Sequence, residues 1–206
     1  MTYLVTGATG FIGRHLVREL LDSRQGEIFV LVRRGSRERI EALMRSWGNP
    51  RRVTPVTGDL RKPGLGVSRA WVKEHKGSIE HFFHVAAIYD MTAGDELNEE
   101  LNVGGTRFAL DLAVKLEVDT FHQVSSVAVS GDYHGVCDET MFDVGQELPS
   151  PYHRTKFESE RIVREEAKVP WRVYRPSLVV GHSETGAMDK VDGPYYFFPL
   201  FKPVAS

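Results

Sequence analysis

In the stretch SPYHRTKFESE, Tyr152 and Lys156 stand four residues apart. On a helix that spacing puts both side chains on one face. A phenol at its ordinary pKa of ~10 is a poor proton donor at neutral pH. An ammonium beside it stabilises the phenolate and brings the phenol towards a usable range. Tyr-x-x-x-Lys is a common pattern, and HRTKFESER is polar enough to suit an exposed helix face equally well. A second feature strengthens it. In HQVSSVAVSG, Ser125 and Ser126 close an apolar strand-like run. A hydroxyl at the carboxyl edge of an open α/β sheet is where a substrate carbonyl oxygen can be held. Ser126 is the better placed of the two, because neighbours on a strand point to opposite sides.

These residues need a scaffold, and the N-terminus supplies its first turn. VTGATGFIG places Gly7, Gly10 and Gly13 three apart, between an apolar strand and an amphipathic helix. Gly7 suits the tight exit from the strand, Gly10 a close approach of backbone to ligand, and Gly13 close packing of helix on sheet. The helix N-terminus then offers unpaired N–H groups and partial positive charge to a pyrophosphate, the pattern of a dinucleotide site. No Gly-Lys-Ser/Thr follows, so a mononucleotide P-loop is excluded. The second strand ends VRRG, with Arg33 and Arg34 where an acidic residue would bind the 2′-hydroxyl of NAD. A guanidinium fork matches a phosphate instead, which favours NADP. Asp59, closing the third strand in GDL, can accept from the adenine amino group or serve as an ordinary turn aspartate.

Strand-like and helix-like segments alternate along most of the chain. Strands are expected at 2–6, 27–33, 52–59, 79–87, 120–126 and 171–176. Helices are expected at 11–23, 37–47, from about 96 to 116, and at 151–167, with Ile12, Leu16, Leu20 and Leu21 forming the apolar stripe of the first. Short β-rich runs separated by crossover-length helices imply an α/β fold, a Rossmann-type doubly wound parallel sheet. The pattern breaks near residue 182, which divides the chain into a binding domain over 1–181 and the start of an incomplete substrate region over 182–206.

Composition narrows the function classes. Lys plus Arg is 26 against 28 for Asp plus Glu, so no basic excess supports nucleic-acid or membrane-surface binding. Cys137 is the only cysteine, which excludes an intrachain disulfide and a cysteine metal cage. His81 and His84, three apart on a strand, point to opposite faces and cannot chelate together. No run approaches the ~18 apolar residues of a membrane span. The chain opens at Met1 directly into a strand, with no secretory leader pattern, and a cytoplasmic protein is expected. Arg51, Arg52, Arg61 and Lys62 read as solvated surface rather than as a coenzyme A phosphate site.

Together, TGxxGxxG at the start, GDL after the third strand, HVAA after the fourth, NVGGT at 102–106, a serine ahead of Tyr-x-x-x-Lys, and YRPSLVVG at 174–181 resemble the extended short-chain dehydrogenase/reductases. EHFFHVAAIYDM, PYHRTKFESERIVREE and GHSETGAMDKVDGPYYFF are most similar to the bacterial alcohol-forming fatty acyl-CoA reductases of the thioester-reductase and carboxylic-acid-reductase branch. The resemblance implies NADPH as reductant and a long-chain fatty acyl-CoA, or the fatty aldehyde derived from it, as substrate. It implies that Tyr152 protonates the carbonyl oxygen, Lys156 holds the nicotinamide ribose, Ser126 orients the carbonyl and Asn102 supports the lysine. Gly7, Thr9, Gly10, Phe11, Ile12 and Gly13 would line the pyrophosphate, and Asp59 and Leu60 the adenine. Ala86 and Ala87 would pass beside the adenosine ribose, while Pro176, Ser177 and Leu178 would lie against the nicotinamide.

The chain departs from that family at its end. FPLFKPVAS carries Pro199 and Pro203, which interrupt any helix there, and the substrate region is expected to be largely absent from this chain. The run YYFF at 195–198 reads as the lip of an acyl tunnel or as the first core of a further subdomain. An uncovered Tyr195 to Phe201 segment would favour self-association, as in a homodimer. Two functional classes follow. One is a reductase whose site is open or completed by a partner, and the other is an NADP-binding module without turnover. A nucleotide-sugar epimerase or dehydratase shares the motifs, but would favour NAD and an acidic end to the second strand.

Overall fold

The structure, a computed structural model, describes residues 1–48, 50–87, 95–188 and Tyr195. They fall into two compact units, Met1–Arg175 and Pro176–Ser206. In the first, six parallel strands form one sheet in the order β3-β2-β1-β4-β5-β6. The strands are β1 (Tyr3–Thr6), β2 (Ile28–Val32), β3 (Val53–Thr57), β4 (His81–His84), β5 (Thr120–Val124) and β6 (Trp171–Tyr174). Every residue of β1 and β2 is buried, as expected of central strands covered on both faces. Pro55 in β3 has no N–H to give a second neighbour, and β3 is accordingly an edge strand.

The helices are α1 (Phe11–Ser23), α2 (Arg37–Ser46), α3 (Arg69–His75), α4 (Asp95–Asn98), α5 (Gly105–Leu116) and α6 (Pro151–Glu166). Strand side chains alternate between two cores. Tyr3, Val5, Ile28, Val30 and Val32 pack with Val17 and Leu20 of α1 and Ile40 of α2. Leu4, Phe29, Leu31, Phe82 and Phe121 pack on the opposite face, with Leu112 of α5, Ile162 of α6 and Trp71 of α3. This is the doubly wound sheet expected from the βα alternation. The order of strands reverses between β1 and β4, and in such sheets the crevice outside the carboxyl ends at that point takes the ligand.

Several local expectations change. Val17 belongs to the α1 core stripe, whereas Ile12, one turn earlier, is 37% exposed at the ligand end of the helix. Helix α3 escapes the apolar pattern because it is short and has no buried residue; Ser68 starts it by accepting from the Trp71 N–H. The expected single helix from 96 to 116 is broken by a π turn over Glu99–Gly104. Strand β4 is shorter than the apolar run that marks it, since Val85, Ala86 and Ala87 already form the exit loop.

In the second unit, Gly181 donates its N–H to the Tyr195 hydroxyl at 2.8 Å. A tight turn follows, in which the Gly186 N–H donates to the His182 carbonyl at 2.8 Å. The rest of the expected acyl lip, Tyr196, Phe197 and Phe198, lies outside the described residues. So do Pro199, Phe201 and Pro203.

Candidate active site

The glycine turn is built as its spacing requires. Gly7 adopts φ +74°, and a Cβ there would stand 2.7 Å from the Ala86 backbone nitrogen, so the turn after β1 abuts the exit of β4. At Gly13 a Cβ would fall 2.1 Å from the Gly7 carbonyl oxygen, which no side chain can share. A Cβ at Gly10 would meet only that same oxygen, at 3.3 Å, and its other sides are open. Gly10 is also the N-cap of α1, with no side-chain hydrogen bond and no acidic residue in the first turn. The helix thus presents its N-terminal N–H groups beside Thr9, Phe11 and Ile12 with the cap left to a ligand, and the cradle fits a pyrophosphate.

Arg33 and Arg34 follow β2 directly, and both are exposed. Neither side chain makes a hydrogen bond or ion pair with another described residue. Asp59 is differently occupied. Arg61 donates to it through Nε and Nη2 at 3.1 and 2.9 Å and through its backbone N–H at 3.1 Å. Those bonds, the Arg61 side chain foremost, hold the Asp59 carboxyl down at about 2. Leu60 meanwhile packs towards Gly105 of α5. Arg52, read as solvated surface, instead ties α1 to β2 by donating to the Leu21 and Gly26 carbonyls.

The chemistry-bearing residues gather at the carboxyl end of β5. Ser150 caps α6 and Pro151 occupies its first turn, which sets Tyr152 at the helix entrance and Lys156 one turn inside. Tyr152 is half-buried, whereas Lys156 is 5% exposed and donates from Nζ to the Val124 carbonyl at 3.1 Å. Burial lowers the Lys156 ammonium to about 8, opposed by the nearby charge of Glu160. Two residues beyond Val124, Ser126 Oγ accepts from the Ala128 N–H at 3.1 Å. Its own O–H has no acceptor among the described residues, which leaves it able to donate to a carbonyl oxygen.

Asn102 sits in the π turn. Its Nδ2 donates to Thr155 Oγ1 at 3.2 Å, next to Lys156, and to Asn98 Oδ1 at 3.3 Å. Its carbonyl accepts from Thr106 Oγ1 at 2.7 Å and from Ser159 Oγ at 2.9 Å. The asparagine therefore grips α6 on both sides of Lys156, through Thr155 and Ser159. Ala86 joins the crevice from β4, its N–H donating to Thr6 Oγ1 at 3.2 Å. Ala87 follows it in the same loop, and Pro176, Ser177 and Leu178 belong to the second compact unit.

The structure adds residues that spacing alone did not single out. His84 is 1% exposed, 3.0 Å from Thr6 Oγ1 through Nδ1, and burial followed by the charge of Lys156 pushes its imidazole down to about 3. His81 stacks on Tyr3 across the sheet, so the two histidines do face opposite ways. Among the described residues, no group of three or more His, Cys, Asp or Glu is arranged to hold a metal ion. Ser125 donates to Glu160 Oε2 at 2.6 Å, and Glu160 lies fully buried one turn beyond Lys156. The sequence shows only a glutamate four residues past the lysine, in a charged run with no mark of burial.

A Gly-rich turn at the switch point of a 3-2-1-4-5-6 sheet, with Ser126, Tyr152 and Lys156 on the adjoining edge, defines an extended short-chain dehydrogenase/reductase. The chain belongs to the NAD-binding family described as "Male sterility protein", whose profile matches residues 5–203. It is 31% identical over 205 residues to a linear gramicidin synthase of Brevibacillus parabrevis, covering 92% of this chain and 4% of that protein. It is 31% identical over 213 residues to the glycine betaine reductase ATRR of Emericella nidulans, covering 93% and 17%. Among solved structures, the terminal R domain of the myxalamid PKS-NRPS pathway superposes with a TM-score of 0.81 at 31% identity, covering 93% of this chain and 52% of that one. DesIV, a dTDP-glucose 4,6-dehydratase of Streptomyces venezuelae solved with NAD bound, gives 0.68 at 27% identity over 100% and 62%. The chain thus spans a small part of these curated relatives, and it is a domain of that NAD-binding family. No helix among the described residues is long and apolar enough to cross a membrane.

Proposed function

We propose that this chain is the cofactor-binding and catalytic half of an NADPH-dependent reductase of acyl thioesters and their aldehydes, with long-chain fatty acyl-CoA and fatty aldehyde as substrates. One observation carries the reading: α6 buries Lys156 against the Val124 carbonyl, two residues before Ser126, at the same carboxyl edge of the sheet that carries the glycine turn. Gly7, Thr9, Gly10, Phe11, Ile12 and Gly13 would hold the pyrophosphate, Ala86 and Ala87 the ribose side, and Asp59 and Leu60 the adenine end. Arg33 and Arg34, exposed and unengaged by other described side chains, would pair with a 2′-phosphate. The bound nicotinamide would supply hydride to the carbonyl carbon.

This chain's residues manage the oxygen. The Ser126 O–H donates to the carbonyl oxygen and orients it, and the Tyr152 O–H delivers its proton as negative charge develops there. Lys156, protonated, stabilises the resulting phenolate. Asn102 keeps α6 in place through Thr155 and Ser159. With an aldehyde, one hydride and one proton give the alcohol. With a thioester, the first hydride gives an aldehyde as the thiol departs, and a second turnover gives the alcohol.

The relatives named above favour one further substrate form, a thioester tethered to a carrier, because both a gramicidin synthase and a PKS-NRPS R domain are similar to this chain. NADPH oxidation by the purified chain, with a long-chain fatty aldehyde, a fatty acyl-CoA and an acyl-pantetheine thioester in parallel, ranks the three. Tyr152→Phe is expected to slow turnover by roughly 10²-fold or more, with NADPH affinity changed less than about twofold. A mutant that reduces at the normal rate removes Tyr152 as the acid. NADPH binding without turnover on any of the three leaves a binding module in place of a reductase.

A further inference from the structure

The carboxylate of Glu160 is 0% exposed, and three hydrogen-bonding groups from three places converge on it. Ser125 Oγ donates to Oε2 at 2.6 Å. Arg175, just past β6, donates from Nη2 to Oε1 at 2.7 Å and from Nε to both oxygens at 3.2 and 3.1 Å. Arg164, one turn further along α6, donates from Nε to Oε1 at 2.8 Å. One turn earlier on the same helix, Lys156 donates to the carbonyl of Val124, the residue before Ser125. Two successive turns of α6 therefore hold two successive residues of β5 and its exit, and Ser126 is the next residue in the chain.

A buried ion set of this kind is a poor way to gain stability, because desolvation consumes most of the attraction. Apolar residues of similar size would join α6 to β5 and β6 at least as well. What an apolar contact cannot supply is a fixed negative charge one helical turn from Lys156. We propose that Glu160 is a positioning residue of the site: it clamps the β5 segment that presents Ser126, and its charge keeps the buried Lys156 in its ammonium form. The inference rests on Lys156 acting as proposed above.

The surrounding charges make the carboxylate necessary. Arg164 on α6 and Arg175 after β6 are both positive, and His84 on β4 is neutral. The segment facing Arg175 brings Cys137, Asp138 and Glu139 near it, with the Asp138 carbonyl accepting from Nη1 at 3.2 Å. From the π turn come the uncharged Asn102 and, through α6, Thr155 and Ser159. Glu160 is the one buried anion beside Lys156 among the described residues. Burial works to raise its carboxyl, but the bonds from Arg175, Ser125 and Arg164 outweigh this and keep it ionised below the usual range.

The test follows the Lys156 titration by the ε-carbon resonance of the ¹³C-lysine-labelled chain, assigned with Lys156→Arg. Glu160→Gln should move it down from about 8. Arg164→Gln, which removes a positive neighbour from a partly exposed position, should move it the other way, above 8. Opposite shifts support the proposal. An unchanged titration in both variants, or shifts of the same sign as general loosening would give, overturns it. If Glu160→Gln does not fold, Arg164→Gln decides alone: an upward shift supports, and no shift or a downward one overturns. The readout needs no turnover, so opposite shifts in a chain that reduces nothing would uphold the charge relation and defeat the reductase reading.

Discussion

The β1–β3 half of the sheet and the β4–β6 half bury different chemistry. In the first, Tyr3, Val5, Ile28, Val30, Val32 and Val53 pack against α1 and α2, and Thr6 is the only buried polar residue on those strands. In the second, His84, Asn102, His122, Gln123, Ser125, Ser126, Thr155, Lys156, Ser159 and Glu160 are all buried. On the proposed function, the difference follows from how each half would meet its ligand. A pyrophosphate is held by main-chain N–H groups at a helix end, so the side chains beneath are free to be apolar. A carbonyl undergoing reduction needs hydroxyl, phenol and ammonium groups. Those side chains must reach the site from a hydrogen-bonded bed, since each unsatisfied one costs ~1–3 kcal/mol.

The sharpest way to break this contrast is to alter the backbone half without touching a polar group. Gly13→Val places a Cβ 2.1 Å from the Gly7 carbonyl oxygen, so α1 must move off the turn. The variant should lose about 3 kcal/mol or more in urea unfolding, and its dinucleotide affinity with it. Unchanged stability and affinity would mean that the close approach is not what this half depends on.

Acid probes the polar half. Burial lowers His84 to about 3 and His122, which also faces His81 and Arg172, to about 4. Between those values and the unfolded pKa of ~6.5, the unfolded chain binds protons that the native chain refuses. Stability therefore rises with pH across that window and falls as pH drops below ~6.5, by up to ~1.4 kcal/mol per pH unit for each histidine. Urea midpoints from pH 7 to pH 4 should show the fall, shallower in His84→Gln. Equal slopes in the two proteins would place the acid sensitivity elsewhere. Lys156 acts with the same sign in an alkaline window: its burial penalises the native state fully below about 8, and the penalty is relieved as pH rises towards 10.5.

The smallest effect is expected at the rim of the backbone half. Replacing Arg33 and Arg34 by alanine should weaken NADPH by roughly tenfold to a hundredfold and leave NADH almost unchanged. Fluorescence titration of both nucleotides gives the ratio, and equal losses would remove the 2′-phosphate assignment.

The legibility of the sequence divides along the same line. The backbone half could be read nearly whole, because glycine spacing and apolar strands report directly on turns and buried sheets. Even there, Ile12 differs from the apolar stripe read for α1, being exposed at the helix tip. In the polar half Tyr152, Lys156, Ser126 and Asn102 were visible, since a spacing or motif marks each. Their supports were not. His84 hides in an aromatic strand, and Glu160 in the charged run FESERIVREE reads as solvent-facing until Arg175 arrives beside it from β6. Helix α3 is short, with Trp71 and Val72 only partly buried against the core, too brief a pattern to announce it, and nothing in NVGGT by itself predicts a π turn.

That wide turn bears on how the chain can change over evolutionary time. A π turn holds one residue more than the α-helical turn it replaces, so Glu99–Gly104 fits an extra residue into the helix ahead of α5. Deleting one of its residues would let the helix close to a regular pitch, with the segments before and after it keeping nearly the same faces. Asn102 would then swing away from Thr155 and Ser159 while α5 stayed seated on the sheet. Substitutions along this helix can be absorbed singly by repacking. A change in the length of this turn acts on the Asn102 contacts instead, which ties the wide turn to the hold on α6 rather than to the seating of α5.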